Sequence, residues 1–215
     1  MTNTTRRALV VEDEGLMASL VALALEQANF EVAVAASVAD AKKTVAKFDP
    51  DVALIDISLG DGPTGIDLAH MLRATRPDIG VLILSRHPDA RTAGNAQELP
   101  EGCGFLRKEM VGDKSALLAA IDLVLSDKSM RIRHDKNADS PIANLSPKQF
   151  ELLKLVAQGL TNQEMATRLG ISASAIEQRL SVIFKQLQIG EIAGVSPRAE
   201  AMRLFIAHAG LPARD

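Results

Sequence analysis

The sequence predicts two folds in series: an α/β doubly wound five-stranded parallel sheet, then an all-α domain built around a helix-turn-helix. Three observations carry this. Short β-branched runs alternate with amphipathic stretches as far as residue 125. A polar, weakly patterned segment closed by a proline, 126–143, then breaks the alternation. From residue 144 onward the patterning is helical, punctuated by N-cap residues and glycines. The domain limits read this way are 6–125, a linker at 126–143, and 144–211.

"RRALVVED" and "FEVAVAAS" are the first two strands. Between them "GLMASLVALALEQA" spaces Leu16, Leu20, Leu23 and Gln27 three to four apart, the period of a helix, with other apolar residues widening the stripe. Ser37, with Asp40 three residues on, marks the start of the next helix, "AKKTVAKF". "DVALID" is the third strand, followed by a helix near "GIDLAHMLRAT". "GVLILS" is the fourth, followed by the irregular "DARTAGNAQELPEG", where Gly94, Asn95 and Pro100 oppose a helix. "GFLRK" is the fifth, and "DKSALLAAIDLVLS" the last helix of the half.

The residues that terminate these strands suggest chemistry. The first strand runs into Glu12 and Asp13, the third ends at Asp56, the fourth at Ser85 and the fifth at Lys108. In a parallel sheet all of these fall on one edge, where α/β folds bind ligands. Clustered carboxylates repel, and a hard divalent cation such as Mg²⁺ relieves the repulsion. Asp56 is then a candidate oxygen nucleophile toward a phosphoryl donor, Lys108 neutralises charge on the transferred group, and Ser85 can donate a hydrogen bond to it. A single strand-end Asp is more commonly a turn former; five suitable groups ending four strands are much harder to obtain by chance.

Over residues 7–125 this pattern resembles the receiver domain of two-component response regulators, a flavodoxin-like fold. The resemblance implies Glu12, Asp13, Asp56 and the backbone carbonyl of Ser58 as Mg²⁺ ligands, and Asp56 as acceptor of phosphate from a sensor histidine kinase. It also implies Ser85 and Phe105 as switch residues and Lys108 as the phosphate-pairing lysine. Two positions depart from the common pattern. Arg86, followed by His87 and Pro88, stands where a small residue is usual, and Glu109 follows Lys108 where proline is frequent. A phosphohydrolase using Asp56 would want a second acid two residues on, where Ser58 stands, so the chain is not expected to be an enzyme.

In the second half, Ser146-Pro147 with Gln149, and Thr161 with Glu164, are capping boxes, and Gly159 and Gly170 end their helices. Ser172 opens a third helix. On it Ile176, Leu180, Ile183 and Leu187 form a buried stripe, while Ser174, Glu177, Gln178, Arg179, Ser181 and Lys185 are available for major-groove contacts. The stretch "LSPKQFELLKLVAQGLTNQEMATRLGIS" resembles the LuxR-type helix-turn-helix, so the whole chain is similar to NarL/FixJ-type response regulators. The resemblance implies promoter DNA as target and a homodimer on activation, with "PRAEAMRLFIAHAG" packing behind the reading helix. "GEIAGVSP" is longer than the usual link to that helix.

Charge on the reading helix is thin. Residues 144–188 hold 5 basic and 3 acidic side chains, which predicts weak nonspecific DNA affinity and a shallow salt slope. Glu177 stands where a lysine is common. It admits three readings: a capping partner of Ser174, an acceptor from cytosine N4, or the mark of a domain that has lost DNA binding, in which case the chain is a receiver-controlled protein-interaction regulator.

Composition agrees with two modest domains: 215 residues, 47% hydrophobic, net charge −3. Residues 1–125 carry 12 basic and 18 acidic side chains, and 142–215 carry 8 and 6. The single cysteine, Cys103, excludes an internal disulfide and a multi-cysteine zinc site. No apolar run reaches the ~20 residues of a membrane span, and the N-terminus lacks the features of a signal peptide. A cytoplasmic protein with no membrane partner is expected.

Overall fold

The computed structural model describes residues 5–89, 99–126, 140–190 and 194–212. These divide into two compact units: 5–86 with 99–126, and 87–89 with 140–190 and 194–212. The irregular segment before the fifth strand lies largely outside the described residues, as do most of the linker and residues 191–193 of the long link.

In the first unit the elements are β1 (Arg7–Val11), α1 (Gly15–Glu26), β2 (Glu31–Ala35), α2 (Val38–Phe48), β3 (Val52–Asp56), α3 (Gly65–Thr75), β4 (Gly80–Ser85), β5 (Cys103–Arg107), a 3₁₀ turn (Lys108–Met110) and α4 (Lys114–Leu125). The five strands are all parallel, in the order β2-β1-β3-β4-β5. Side chains alternate across a strand, so the near-continuous apolar runs of β1, β3 and β4 fill two cores. Ala8, Val10, Leu54, Leu82 and Leu106 face a layer completed by α1 and α4. The alternate residues Leu9, Ile55, Ile83 and Phe105, also buried, turn to the other face. There α2 packs on β1 and β2, and α3 on β3 and β4.

The leucine stripe of α1 does not face the sheet: Leu16 is 81% exposed, and Leu20, Leu23 and Gln27 are exposed too. The buried face is Ala18, Val21 and Leu25. The helix is apolar on more than one side, so its period identifies a helix without choosing the face.

The second unit contains α5 (Pro147–Ala157), α6 (Asn162–Leu169), α7 (Ala173–Gln186) and α8 (Pro197–Ala209). The capping boxes at Ser146/Gln149 and Thr161/Glu164 are formed, and Gly170 closes α6 at φ +65°. Ile142, Leu145, Leu153, Met165, Ile176, Leu180 and Ile183 share one core with Phe150 and Phe205, whose ring centroids lie 5.2 Å apart. The cap of α7 is Ser172, which accepts from Ala175 N–H. Ser174 is already inside the helix, which removes the capping explanation for Glu177.

Candidate functional site

Parallel strands bring their carboxyl ends to one edge, and the backbone fixes each terminal residue there. Glu12, immediately beyond β1, donates its N–H to Ala35 O at 3.0 Å. Asp56, the last residue of β3, is in register with Leu84, and Ile57 N–H continues the pairing to Leu84 O. Ser85 ends β4 in register with Arg107, the last residue of β5, and Lys108 starts the following 3₁₀ turn.

Lys108 reaches back across the sheet edge. Its Nζ lies 2.8 Å from Asp56 Oδ2 and 2.6 Å from Glu12 Oε2, and all three side chains are buried, Asp56 retaining 7% exposure. Lys108 thus pairs with Glu12 Oε2, while Oε1 accepts from Glu14 N–H at 3.4 Å. Burial pushes the Glu12 carboxyl above its ordinary range, against the pull of Lys108 and with the help of the Asp56 charge. One ammonium is therefore opposed by two buried acids.

Asp13, exposed at the rim, adds a third carboxylate. One oxygen from each of Glu12, Asp13 and Asp56 lies within 4.8 Å of the others. Ligand oxygens of an octahedral Mg²⁺ sit about 3–4 Å apart given bonds near 2 Å, so small side-chain adjustments would close this set on a cation. The all-oxygen donor set fits such an ion. Ser58, two residues beyond Asp56, is exposed.

Ser85 and Phe105 are both buried. Gly65, at the start of α3, is the closest neighbour that sequence reasoning missed. A Cβ there would stand 1.9 Å from Asp56 O, and Gly65 N–H donates to Ile57 O at 2.8 Å. The helix thus enters against the backbone of Asp56 itself. At the outer rim Arg86 pairs with Glu14.

In the second unit Ser174, Glu177, Gln178, Arg179, Ser181 and Lys185 are all exposed, and Ile176, Leu180, Ile183 and Leu187 are buried as expected. The exposed set does not share a single face. Glu177, Ser181 and Lys185 border a depression of about 560 Å³ with Asn162 and Arg198, whereas Arg179 borders another of about 870 Å³ with Lys148, Leu169 and Val182.

Residues 8–122 match the family of the response regulator receiver domain, and that span is more than half of the chain. The chain belongs to the response regulator family. Residues 143–197 match the luxR family of bacterial regulatory proteins, so this response regulator is of the NarL/FixJ type: a receiver joined to a LuxR-type DNA-binding domain, the organisation of a transcription regulator. It is similar to the DNA-binding transcriptional activator DevR/DosR of Mycobacterium tuberculosis, 28% identical over 73% of this chain and 75% of the relative. It is also similar to the oxygen regulatory protein NreC of Staphylococcus haemolyticus, 26% identical over 74% and 79%. An RcsB–DNA complex shares its fold at TM-score 0.53, with 20% identity over 94% of this chain and 99% of that one. RcsB from Salmonella enterica serovar Typhimurium, bound to promoter rprA in the presence of the phosphomimetic BeF₃⁻, does so at 0.56, with 19% identity over 93% and 99%.

Two further residues of the response regulator had no signal in the sequence. Arg198 donates to Asn162 Oδ1 at 3.0 Å and to Leu160 O, tying the start of α8 to the start of α6. Glu200, buried on α8, accepts from Gly190 N–H at 3.1 Å and so ties α8 to the segment that follows α7. Charged residues on a helix of ordinary amphipathic pattern read as solvated, and only the fold shows their partners. Among the described residues no helix is long and apolar enough to cross a membrane.

Proposed function

We propose that Asp56 is the phosphoacceptor of this response regulator, and that its phosphorylation by a sensor histidine kinase controls promoter binding through α7. The observation that carries this is the buried Asp56 carboxylate, held 2.8 Å from Lys108 beside two further acids. An Asp56 oxygen bonds to phosphorus as the bond from phosphorus to the kinase histidine nitrogen breaks, the pair leaving with the imidazole; Lys108 neutralises the phosphoryl oxygens, and the Ser85 hydroxyl donates to one of them. Glu12, Asp13, Asp56 and the Ser58 carbonyl would hold a divalent cation, which would supply charge neutralisation for the transferred group.

Movement of Ser85 toward the phosphate lets Phe105 follow, which shifts the balance toward a dimer competent for inverted half-sites. Inverting a 1:99 population takes about 5.5 kcal/mol of differential interaction, a demand that a dianion paired in a buried site can largely meet. The domains are taken as 6–125 and 144–211, joined by 126–143, in a cytoplasmic protein whose role is regulation and not turnover of a substrate.

The test is sizing and promoter-fragment anisotropy with and without beryllofluoride and Mg²⁺. The wild type is expected to dimerise and bind DNA more tightly on adding the analogue, and Asp56→Asn to lose both responses. Equal responses from the two proteins would refute the assignment.

A further inference from the structure

Asp56 lies between two cation bridges of different character. The inner one, Lys108 to Glu12, is buried. The outer one, Arg86 to Glu14, is open to solvent, the two side chains being 67% and 48% exposed. Strand order determines what the outer bridge crosses. Glu14 follows β1 and Arg86 follows β4, and β3 runs between those strands with Asp56 at its end. At about 4.8 Å per strand spacing, the pair spans about 9–10 Å across the end of β3. The bridge therefore crosses the strand end that carries Asp56. Glu14 is tied inward as well, since its backbone N–H donates to Glu12 Oε1.

We propose that the Glu14–Arg86 ion pair is a latch across the mouth of the Asp56 pocket that meters the entry of small phosphodonors and of water. The inference rests on Asp56 being the phosphoacceptor. In uptake from acetyl phosphate, an Asp56 oxygen bonds to phosphorus as the bond from phosphorus to the acetate oxygen breaks, the electron pair leaving with acetate. In loss, a water oxygen attacks phosphorus, the acyl-phosphate P–O bond returns its pair to the Asp56 carboxylate, and the water's proton passes to the released phosphate. Both reactions need a small molecule to arrive at the same phosphorus from outside. A closed latch slows both.

The two singly neutralised variants separate this from simple electrostatics. Removing the positive charge by Arg86→Gln and the negative one by Glu14→Gln should move an anionic donor's rate in opposite directions if only charge matters. A latch moves both rates the same way, because either change opens it. Exposed pairs of this kind bias an open–closed balance by about two- to fivefold.

The experiment measures acetyl-phosphate uptake and phosphoryl loss in Mg²⁺ for the full-length wild type, Arg86→Gln, Glu14→Gln and the double variant, with saturable beryllofluoride binding as the check that each pocket is intact. Expected is a rise of about two- to fivefold in both rates for each single variant and no further rise in the double variant. Unchanged rates, opposite shifts in the two single variants, or multiplicative effects in the double variant overturn the latch while leaving the acceptor assignment in place. A wild type that binds no beryllofluoride and takes up no phosphate at Asp56 overturns both.

Discussion

Lys108 Nζ stands 2.8 Å from Asp56 Oδ2, in a pocket where the same ammonium also faces Glu12 at 2.6 Å. Removing it leaves two buried carboxylates without a counter-charge. Lys108→Ala is expected to cost about 3–5 kcal/mol in urea denaturation without divalent ions, the usual cost of breaking a buried pair. Added Mg²⁺ should recover more of that stability in the variant than it adds to the wild type. An equal Mg²⁺ effect in both proteins would show that the acids do not share a cation.

Gly65 is required by its approach to Asp56. Gly65→Ala forces a methyl into the Asp56 carbonyl and is expected to lose about 1–3 kcal/mol, as overpacking does, together with beryllofluoride binding. Gly15, at the start of α1, has nothing within 4 Å of the same added atom. Gly15→Ala should leave binding intact and stabilise by about 0.4–1 kcal/mol. Denaturation midpoints with and without the analogue test both.

The two apolar faces of α1 predict opposite costs. Leu25→Ala, in the core, should lose about 2–5 kcal/mol. Leu16→Gln, on the open face, should stay within about 0.5 kcal/mol of the wild type. A large loss from the second substitution would mean that the exposed stripe is covered in solution.

Glu164 gives the helix-turn-helix a dependence on acid. Its carboxyl is held below the ordinary 4.5 because Thr161 N–H and the Thr161 hydroxyl both donate to it. A carboxyl depressed in the fold contributes stability above its unfolded value and loses it as pH falls through the folded one. The thermal midpoint of the second unit should therefore fall on acidification below 4.5. Glu164→Gln, which accepts the same bonds without titrating, should flatten that fall.

On α7, Lys185 and Glu177 border the same depression with opposite charge. Lys185→Ala should reduce the salt slope of promoter binding by about 1, and Glu177→Lys should steepen it by about 1. Anisotropy across a salt series reads both. Slopes that do not move would place the DNA contacts on the Arg179 flank.

Much of this was legible beforehand where the physics is local. Strand ends, caps and periods depend on neighbours within a few residues, so Ser146 and Thr161 announce their helices and Asp56 its strand end. The face of α1 was not legible, because Leu16 and Leu25 are chemically alike and only the packed sheet distinguishes them. Nor were the roles of Gly65, Arg198 and Glu200, whose partners lie 9, 36 and 10 residues away along the chain.

By itself, then, the sequence determined the alternation of elements, the two-domain plan and the identity of the groups ending each strand, because periodicity and turn chemistry act over short chain distances. The tertiary structure alone decided which of those groups meet. Strand order placed β3 between β1 and β4, and burial brought one lysine against two acids. Contacts between residues 12, 56 and 108 arise only when the sheet has closed its register, and no local pattern encodes that distance.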